Sequence, residues 1–305
     1  MQKILLYYKF TPIKDPAAVV LWQKSLTGSL DLKGRILVSS HGLNGTVGGD
    51  IDALKAYVKA TKQYPGFKDI VFKWSDGSAD DFPRMSVKHR RELVGFQNSD
   101  EEFDVDEQGV IGSGTHLKPR QVHELVEQFG DDVVFFDGRN AHEASVGKFK
   151  GAIVPNTNTS RDFIAELESD KYDDIKDKKV VTYCTGGVRC EVISAMMKKR
   201  GFKDVYQIDG GIVKYGEAYG DDGLWEGALR VFDKRMTTNF SDDAVTIGVC
   251  THCEGKTSNF ENCAFANCND LVLICENCKE DTNLLYHTEA CRVAAIAPVK
   301  APAVE

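Results

Sequence analysis

Two hydrophobic rhythms divide this chain. Over residues 1–97, short apolar runs alternate with stretches whose apolar positions recur at helical spacing. The run 3–10 predicts a strand. Asp15-Pro16 then marks a helix start, with an aspartate at the cap and a proline in the first turn. Val19, Val20, Trp22, Leu26 and Leu30 line one face of that helix. Residues 35–39 predict a second strand, and the glycine-rich segment 42–49 a tight turn leading back into strand. A second helix spans 51–64 and stops at Pro65-Gly66, and 70–74 and 85–96 predict further strands. The order βαββαβ is that of ferredoxin-like sheets.

From residue 115 to about 219 the rhythm changes. Helical patterns at 118–129, 162–167 and 190–200 alternate with continuous apolar runs at 133–137, 152–155, 180–183 and 205–208. Unbroken apolar strands are those covered on both faces, so this segment predicts an α/β domain with a largely parallel sheet. Between the two patterned segments, 98–114 is polar and acidic and reads as a linker carrying a short hairpin. Residues 221–293 combine a mixed connector with a cysteine-rich module, and the Ala/Pro-rich end, 294–305, predicts disorder.

Charge separates the parts. Residues 1–97 carry 15 Lys/Arg against 9 Asp/Glu, a net +6, whereas 98–239 carry −8 and 240–305 carry −6. The amino-terminal part alone has an attractive field for a polyanion, although the whole chain is acidic. Its densest basic cluster is Arg84, Lys88, Arg90 and Arg91. Such groups suit phosphate contacts, which supply affinity rather than base reading. No apolar run reaches membrane-spanning length, and the first apolar run is too short for a signal-peptide core. The expected location is the cytoplasm.

The chemistry concentrates at Cys184. It ends the run 180–183 and opens the loop Thr185-Gly186-Gly187-Val188-Arg189 ahead of a helix. Backbone N–H groups and the positive helix end favour thiolate over thiol there. A phosphatase would need an arginine six residues after the cysteine, but Cys190 occupies that position and Arg189 stands one residue earlier. Two chemistries stay open: a persulfide formed on the thiolate, and attack of the thiolate on C6 of a uracil ring. Cys190 reads either as a helix-packing residue or as a resolving thiol.

The loop, the upstream Phe136-Asp137-Gly138-Arg139 and the closing Tyr206-Gln207-Ile208-Asp209-Gly210-Gly211 together resemble the rhodanese family. By that resemblance Asp137 and Arg139 support the pocket mouth and organise its loops. The segments Tyr7-Tyr8-Lys9-Phe10, Ser40-His41-Gly42-Leu43-Asn44-Gly45 and Phe82-Pro83-Arg84-Met85-Ser86 are similar to the acylphosphatase-like domain of bacterial rhodanese-related tRNA uridine hydroxylases. This resemblance spans residues 1 to about 291. It implies oxygen-dependent hydroxylation of the wobble uridine of tRNA to 5-hydroxyuridine, with Cys184 as the essential nucleophile and molecular oxygen as co-substrate. No flavin, haem or nucleotide signature is read in the sequence. A sulfurtransferase forming a persulfide on Cys184 is the alternative.

Seven of the nine cysteines lie in 250–291. Cys250-x2-Cys253 and Cys275-x2-Cys278, 21 residues apart, have the spacing of a four-thiolate structural zinc site. Cys263, Cys268, Cys291, His252 and His287 lie close enough in sequence to exchange with them or to make a second site. The expected whole is a ferredoxin-like α+β domain (1–97), a linker (98–114), a rhodanese-like α/β domain (115–220) and a small cysteine-rich carboxyl-terminal module (221–293). tRNA is the implied partner.

Overall fold

The computed structural model describes residues 1–96, 103–268 and 270–296. Its amino-terminal part runs β1 (Gln2–Phe10), α1 (Pro16–Ser29), β2 (Lys33–Ser39), β3 (Gly42–Asp50), α2 (Ile51–Lys62), β4 (Val71–Ser75) and β5 (Met85–His89). The sheet order is β4-β1-β3-β2-β5, so the ferredoxin-like order of four strands gains a fifth, β5, parallel to β2 at the edge. The Asp15 carboxylate accepts from the Ala18 N–H at 3.0 Å, the cap that starts α1.

The segment 42–49 is no tight turn. It is β3, the central strand, and the turn falls at Ser40-His41. Its glycines make room for neighbours: a Cβ at Gly45 would lie 2.3 Å from the Tyr7 hydroxyl oxygen, and one at Gly48 would lie 2.6 Å from the Ser78 carbonyl oxygen. The expected strand 85–96 also stops short, at His89. Arg90 and Arg91 lie beyond it, and Leu93 and Phe96 turn into the core of the next domain.

Strand register sorts the sheet into two faces. Tyr7, Gly45, Ile36 and Val87 stand side by side on the face covered by α1 and α2. Tyr8, Asn44, Leu37 and Lys88 form the next row, on the opposite face. There Tyr8, Phe10 and Leu37 pack into the second domain's core.

That domain follows a hairpin of β6 (Val105–Asp106) and β7 (Gly109–Val110). Its elements are β8 (Thr115–Leu117), α3 (Pro119–Phe129), β9 (Val133–Asp137), α4 (Ala141–Ala144), β10 (Gly147–Phe149), α5 (Asp162–Glu168), β11 (Lys179–Tyr183), α6 (Val188–Lys199), β12 (Asp204–Ile208) and α7 (Gly211–Tyr219). The sheet β8-β12-β11-β9 is parallel throughout. The expected strand 152–155 shrinks to one parallel bridge from Ile153 to Phe136, since Pro155 has no N–H to continue a ladder. Every α6 residue from Cys190 to Met197 is buried. A helix buried all round is covered on more than one side, here by its own parallel sheet and by the amino-terminal sheet.

The remainder is β13 (Trp225–Gly227), β14 (Leu229–Arg230), β15 (Thr237–Thr238), β16 (Phe260–Asn262), β17 (Leu271–Leu273), α8 (Glu276–Lys279) and α9 (Glu289–Ile296). β13 pairs with β10 and ties this segment to the α/β domain. Ala294–Ile296 close α9 rather than open a disordered tail, and 297–305 lie outside the described residues, as do 98–102 of the expected linker. No helix among the described residues is long and apolar enough to cross a membrane.

Candidate active site

β11 delivers Cys184 to the carboxyl end of the parallel sheet, where such sheets bind ligands. The loop is shorter than expected, because α6 starts at Val188, so Val188 and Arg189 form its first turn. The Gly187 N–H donates to Cys184 Sγ at 3.2 Å. The carbonyls of Cys184 and Thr185 turn the other way and accept from the N–H groups of Ile212 and Val213, at 3.0 and 3.1 Å. The first turn of α7 thus takes the loop's carbonyls and leaves its N–H groups facing sulfur. Gly211 makes this approach possible: its φ is +67°, and a Cβ there would sit 2.4 Å from the Cys184 carbonyl oxygen.

Cys184 is 1% exposed. Burial pushes its thiol pKa up. The Cys190 thiol, the Arg189 charge and the N–H groups of Cys190 and Arg189 outweigh burial and bring it down to about 5. Cys190 is driven the other way by its own burial and by the neighbouring Cys184, and stays a neutral donor. Arg189 is fixed by a bidentate pair with Glu143 on α4, at 2.6 and 2.9 Å. Glu143 is fully buried. Burial raises its carboxyl, but Arg189 and Arg139 hold it at about 2.

Asp137 and Arg139 are not at a pocket mouth. Both are fully buried beneath the loop. Arg139 donates to Asp137 at 2.9 and 2.6 Å and to the Gly147 carbonyl at 2.7 Å, and its guanidinium lies over the Tyr183 and Trp225 rings. The pair ties β9 to the strand that carries Cys184. A guanidinium lodged between rings and carbonyls orders loops but cannot reach a substrate.

The amino-terminal sheet supplies groups that the sequence reading missed. Lys73 on β4 is 2% exposed, and its ammonium donates to the Gly186 carbonyl and stands 4.9 Å from the Tyr8 ring centroid. Burial lowers its pKa to about 8, against the Cys184 charge that raises it. The Tyr8 hydroxyl donates to Glu191 at 2.8 Å, and Glu191 also takes hydrogen bonds from His116 at 2.8 Å and Gln207 at 3.1 Å. The carboxylate raises the His116 pKa. The one available signal was a lysine inside the apolar run 70–74.

The ultraviolet thiolate absorbance of the protein, minus that of a Cys184→Ala variant, is expected to rise through a midpoint near pH 5. A Lys73→Met change removes a facing cation and should move that midpoint up by about one pH unit. An unmoved midpoint would separate Lys73 from the thiolate.

Three family models match the chain: the UPF0176 acylphosphatase like domain over residues 2–93, the Rhodanese-like domain over 119–218 and the Rhodanase C-terminal domain over 226–292. A protein called tRNA uridine(34) hydroxylase from Corynebacterium jeikeium (strain K411) is 63% identical over 279 residues, 92% of this chain and 90% of its own. Its namesake from Corynebacterium glutamicum (strain R) is 61% identical over 296 residues, 97% and 94% of the two chains. The chain belongs to the tRNA uridine(34) hydroxylase family.

In this tRNA uridine(34) hydroxylase family member the rhodanese-like segment carries the thiol, and the acylphosphatase-like segment carries Tyr8 and Lys73. The predicted basic cluster lies apart from them. Arg84, Lys88, Arg90 and Arg91 are exposed, at or beyond the ends of edge strand β5 except for Lys88 within it. β5 is three strand spacings from β1, about 14 Å. Lys88 nonetheless shares the sheet face of Tyr8. Exposed Arg35 belongs to the neighbouring row of that face, with Leu6, Thr46, Lys73 and Ser86.

The cysteine clusters of this family member could bind a metal. The sulfurs of Cys250, Cys253, Cys275 and Cys278 all lie within 4.8 Å of one another, with Cys253 and Cys275 at 3.6 Å. Burial raises the Cys250 thiol pKa, but the N–H groups of Cys275, Cys253 and His252 lower it to about 6. Four sulfurs with such N–H donors fit a tetrahedral thiophilic cation.

Proposed function

We propose that this protein hydroxylates C5 of the uridine at position 34 of tRNA, with the Cys184 thiolate as attacking group and dioxygen as co-substrate. The observation that carries this reading is a low-pKa thiol at the seam of two domains, in a chain 63% identical over 92% of its length to a protein of that name. The thiolate adds to C6 of the uracil, forming the S–C6 bond and leaving an electron pair at C5. C5 takes one oxygen atom of dioxygen, and a two-electron reductant with two protons carries the other to water. Loss of the C5 proton restores the ring double bond and expels Cys184.

Arg189 and the loop N–H groups hold the anion before and after attack, and Lys73 provides a cation beside it. Tyr8 and Lys73 close over the loop, so the base enters through the seam that they form. Arg35 and Lys88, on the sheet face leading to that seam, and Arg84, Arg90 and Arg91 at its edge, contact tRNA phosphates. Lys88→Ala, Arg90→Ala and Arg91→Ala together should weaken tRNA binding and reduce the slope of log K against log salt by about 3. An unchanged slope would remove these residues from the RNA path. Cys250, Cys253, Cys275 and Cys278 hold a structural zinc ion, which fixes a module with almost no apolar core. Work on tRNA places the protein in the cytoplasm.

The rhodanese-like match over 119–218 supports one second reading, a persulfide on Cys184. Thiosulfate treatment followed by mass spectrometry would then find one added sulfur there. For the primary reading, nucleoside mass spectrometry of tRNA from cells with and without this protein is decisive. 5-Hydroxyuridine and its derivatives should disappear with the gene and return with it; unchanged levels would overturn the assignment.

A further inference from the structure

Seven cysteines crowd the carboxyl-terminal module, and four of them complete one centre. The other three are gathered separately in space. We propose that Cys263, Cys268, His287 and Cys291 form a second site for a divalent thiophilic cation of the zinc type, independent of the Cys250/Cys253/Cys275/Cys278 centre.

The sulfurs of Cys263, Cys268 and Cys291 lie within 4.8 Å of one another. Two thiolates on one zinc stand about 3.8 Å apart, so a small inward movement closes the three on an ion. The fourth donor comes from the Cys268 side. There His287 and Asp270 bring a ring nitrogen and a carboxylate oxygen within 4.8 Å of that sulfur. His287 Nδ1 faces Asp270 Oδ2 at 3.4 Å, and its ring is half-exposed. Imidazole is the commoner fourth partner of three thiolates, and Asp270 then orients the ring.

The chain spacing agrees. Cys263-x4-Cys268 and His287-x3-Cys291 are two ligand pairs at the separations that zinc modules use. The backbone is arranged around them. The His287 N–H donates to Cys263 Sγ at 3.3 Å, and the Phe265 N–H also points at that sulfur. Cys250 in the first centre is held by N–H groups in the same manner. The Cys291 N–H donates to Thr288 Oγ1 at 3.2 Å, and this cap starts the turn of α9 that carries Cys291.

The packing leaves work for such an ion. The module's core is Cys250, Val272 and Ile274. α9 buries no residue, and its Val293 and Ile296 are 57% and 66% exposed. So small a core cannot fix a terminal helix, and a metal ligated by Cys291 would.

Metal analysis of the full chain, purified under reducing conditions from zinc-supplemented cells, should give two zinc ions per chain. Cys291→Ser should lower this to one, and His287→Ala should change the cobalt absorption spectrum where Asp270→Asn does not. One zinc in the wild type would overturn the proposal while leaving the four-cysteine centre intact. Should Cys291→Ser fail to fold, alkylation of the native zinc-loaded wild type decides, read by peptide mass spectrometry. Cys263, Cys268 and Cys291 should be protected until chelator is added, and alkylation at the rate of free thiols would overturn the proposal.

Discussion

Replacing Cys184 by serine abolishes 5-hydroxyuridine formation, with a loss of about a thousandfold or more, while the protein keeps its fold. The serine hydroxyl still accepts the Gly187 N–H that sulfur now takes at 3.2 Å, so the loop keeps its hydrogen bond. Its volume also suits a position that is 1% exposed. What the change removes is the anion. A thiol brought down to about 5 is ionised at neutral pH, whereas a hydroxyl in the same place is not. Cys184→Ala should be equally inactive but slightly less stable, because the loop N–H groups lose their acceptor. Complementation of a deletion strain, read by nucleoside mass spectrometry alongside thermal unfolding of each variant, checks both. Residual hydroxylation by the serine variant at a tenth of wild type would reduce Cys184 to a structural residue.

The second large effect is expected at Arg189. Arg189→Met leaves the Glu143 carboxylate fully buried without its bidentate partner. Breaking one side of such a pair costs about 3–5 kcal/mol, since the surviving charge stays desolvated. The pH dependence has a definite sign. Glu143 has a folded pKa of about 2, below its unfolded value, so the pair stabilises fully above the unfolded carboxyl pKa and loses this as pH falls towards 2. In the variant the Arg139 charge is left to oppose burial without Arg189, so the folded carboxyl pKa rises and stability should fall less steeply with acid than in the wild type. Arg189→Met with Glu143→Gln should recover most of the stability but not the acidic thiol, because the Arg189 charge that lowers the Cys184 pKa stays absent. Thermal unfolding against pH, together with thiolate absorbance, separates these two roles.

The strand–loop–helix around Cys184 was legible because every part of it is local: an apolar run, glycines, then a helix. The ferredoxin-like order was legible for the same reason. β3 was not, because glycines that read as a turn serve as clearance for Tyr7 and for the Ser78 carbonyl across the sheet. Tyr8 and Lys73 escaped notice because their partners lie 183 and 113 residues away, and only strand parity and domain packing bring them together. Asp137 and Arg139 were found, but at the wrong depth. Motif matching locates residues along the chain, whereas burial comes from β10, β13 and Trp225 closing around them.

The central claim is that the Cys184 thiolate bonds to the base itself. The most direct measurement uses tRNA carrying 5-fluorouridine, incubated with the protein while dioxygen is excluded and analysed by mass spectrometry under denaturing conditions. A protein–RNA adduct joined through Cys184, absent from the Cys184→Ala variant, is the predicted result. No adduct, from a preparation that hydroxylates ordinary tRNA in air, would contradict the account.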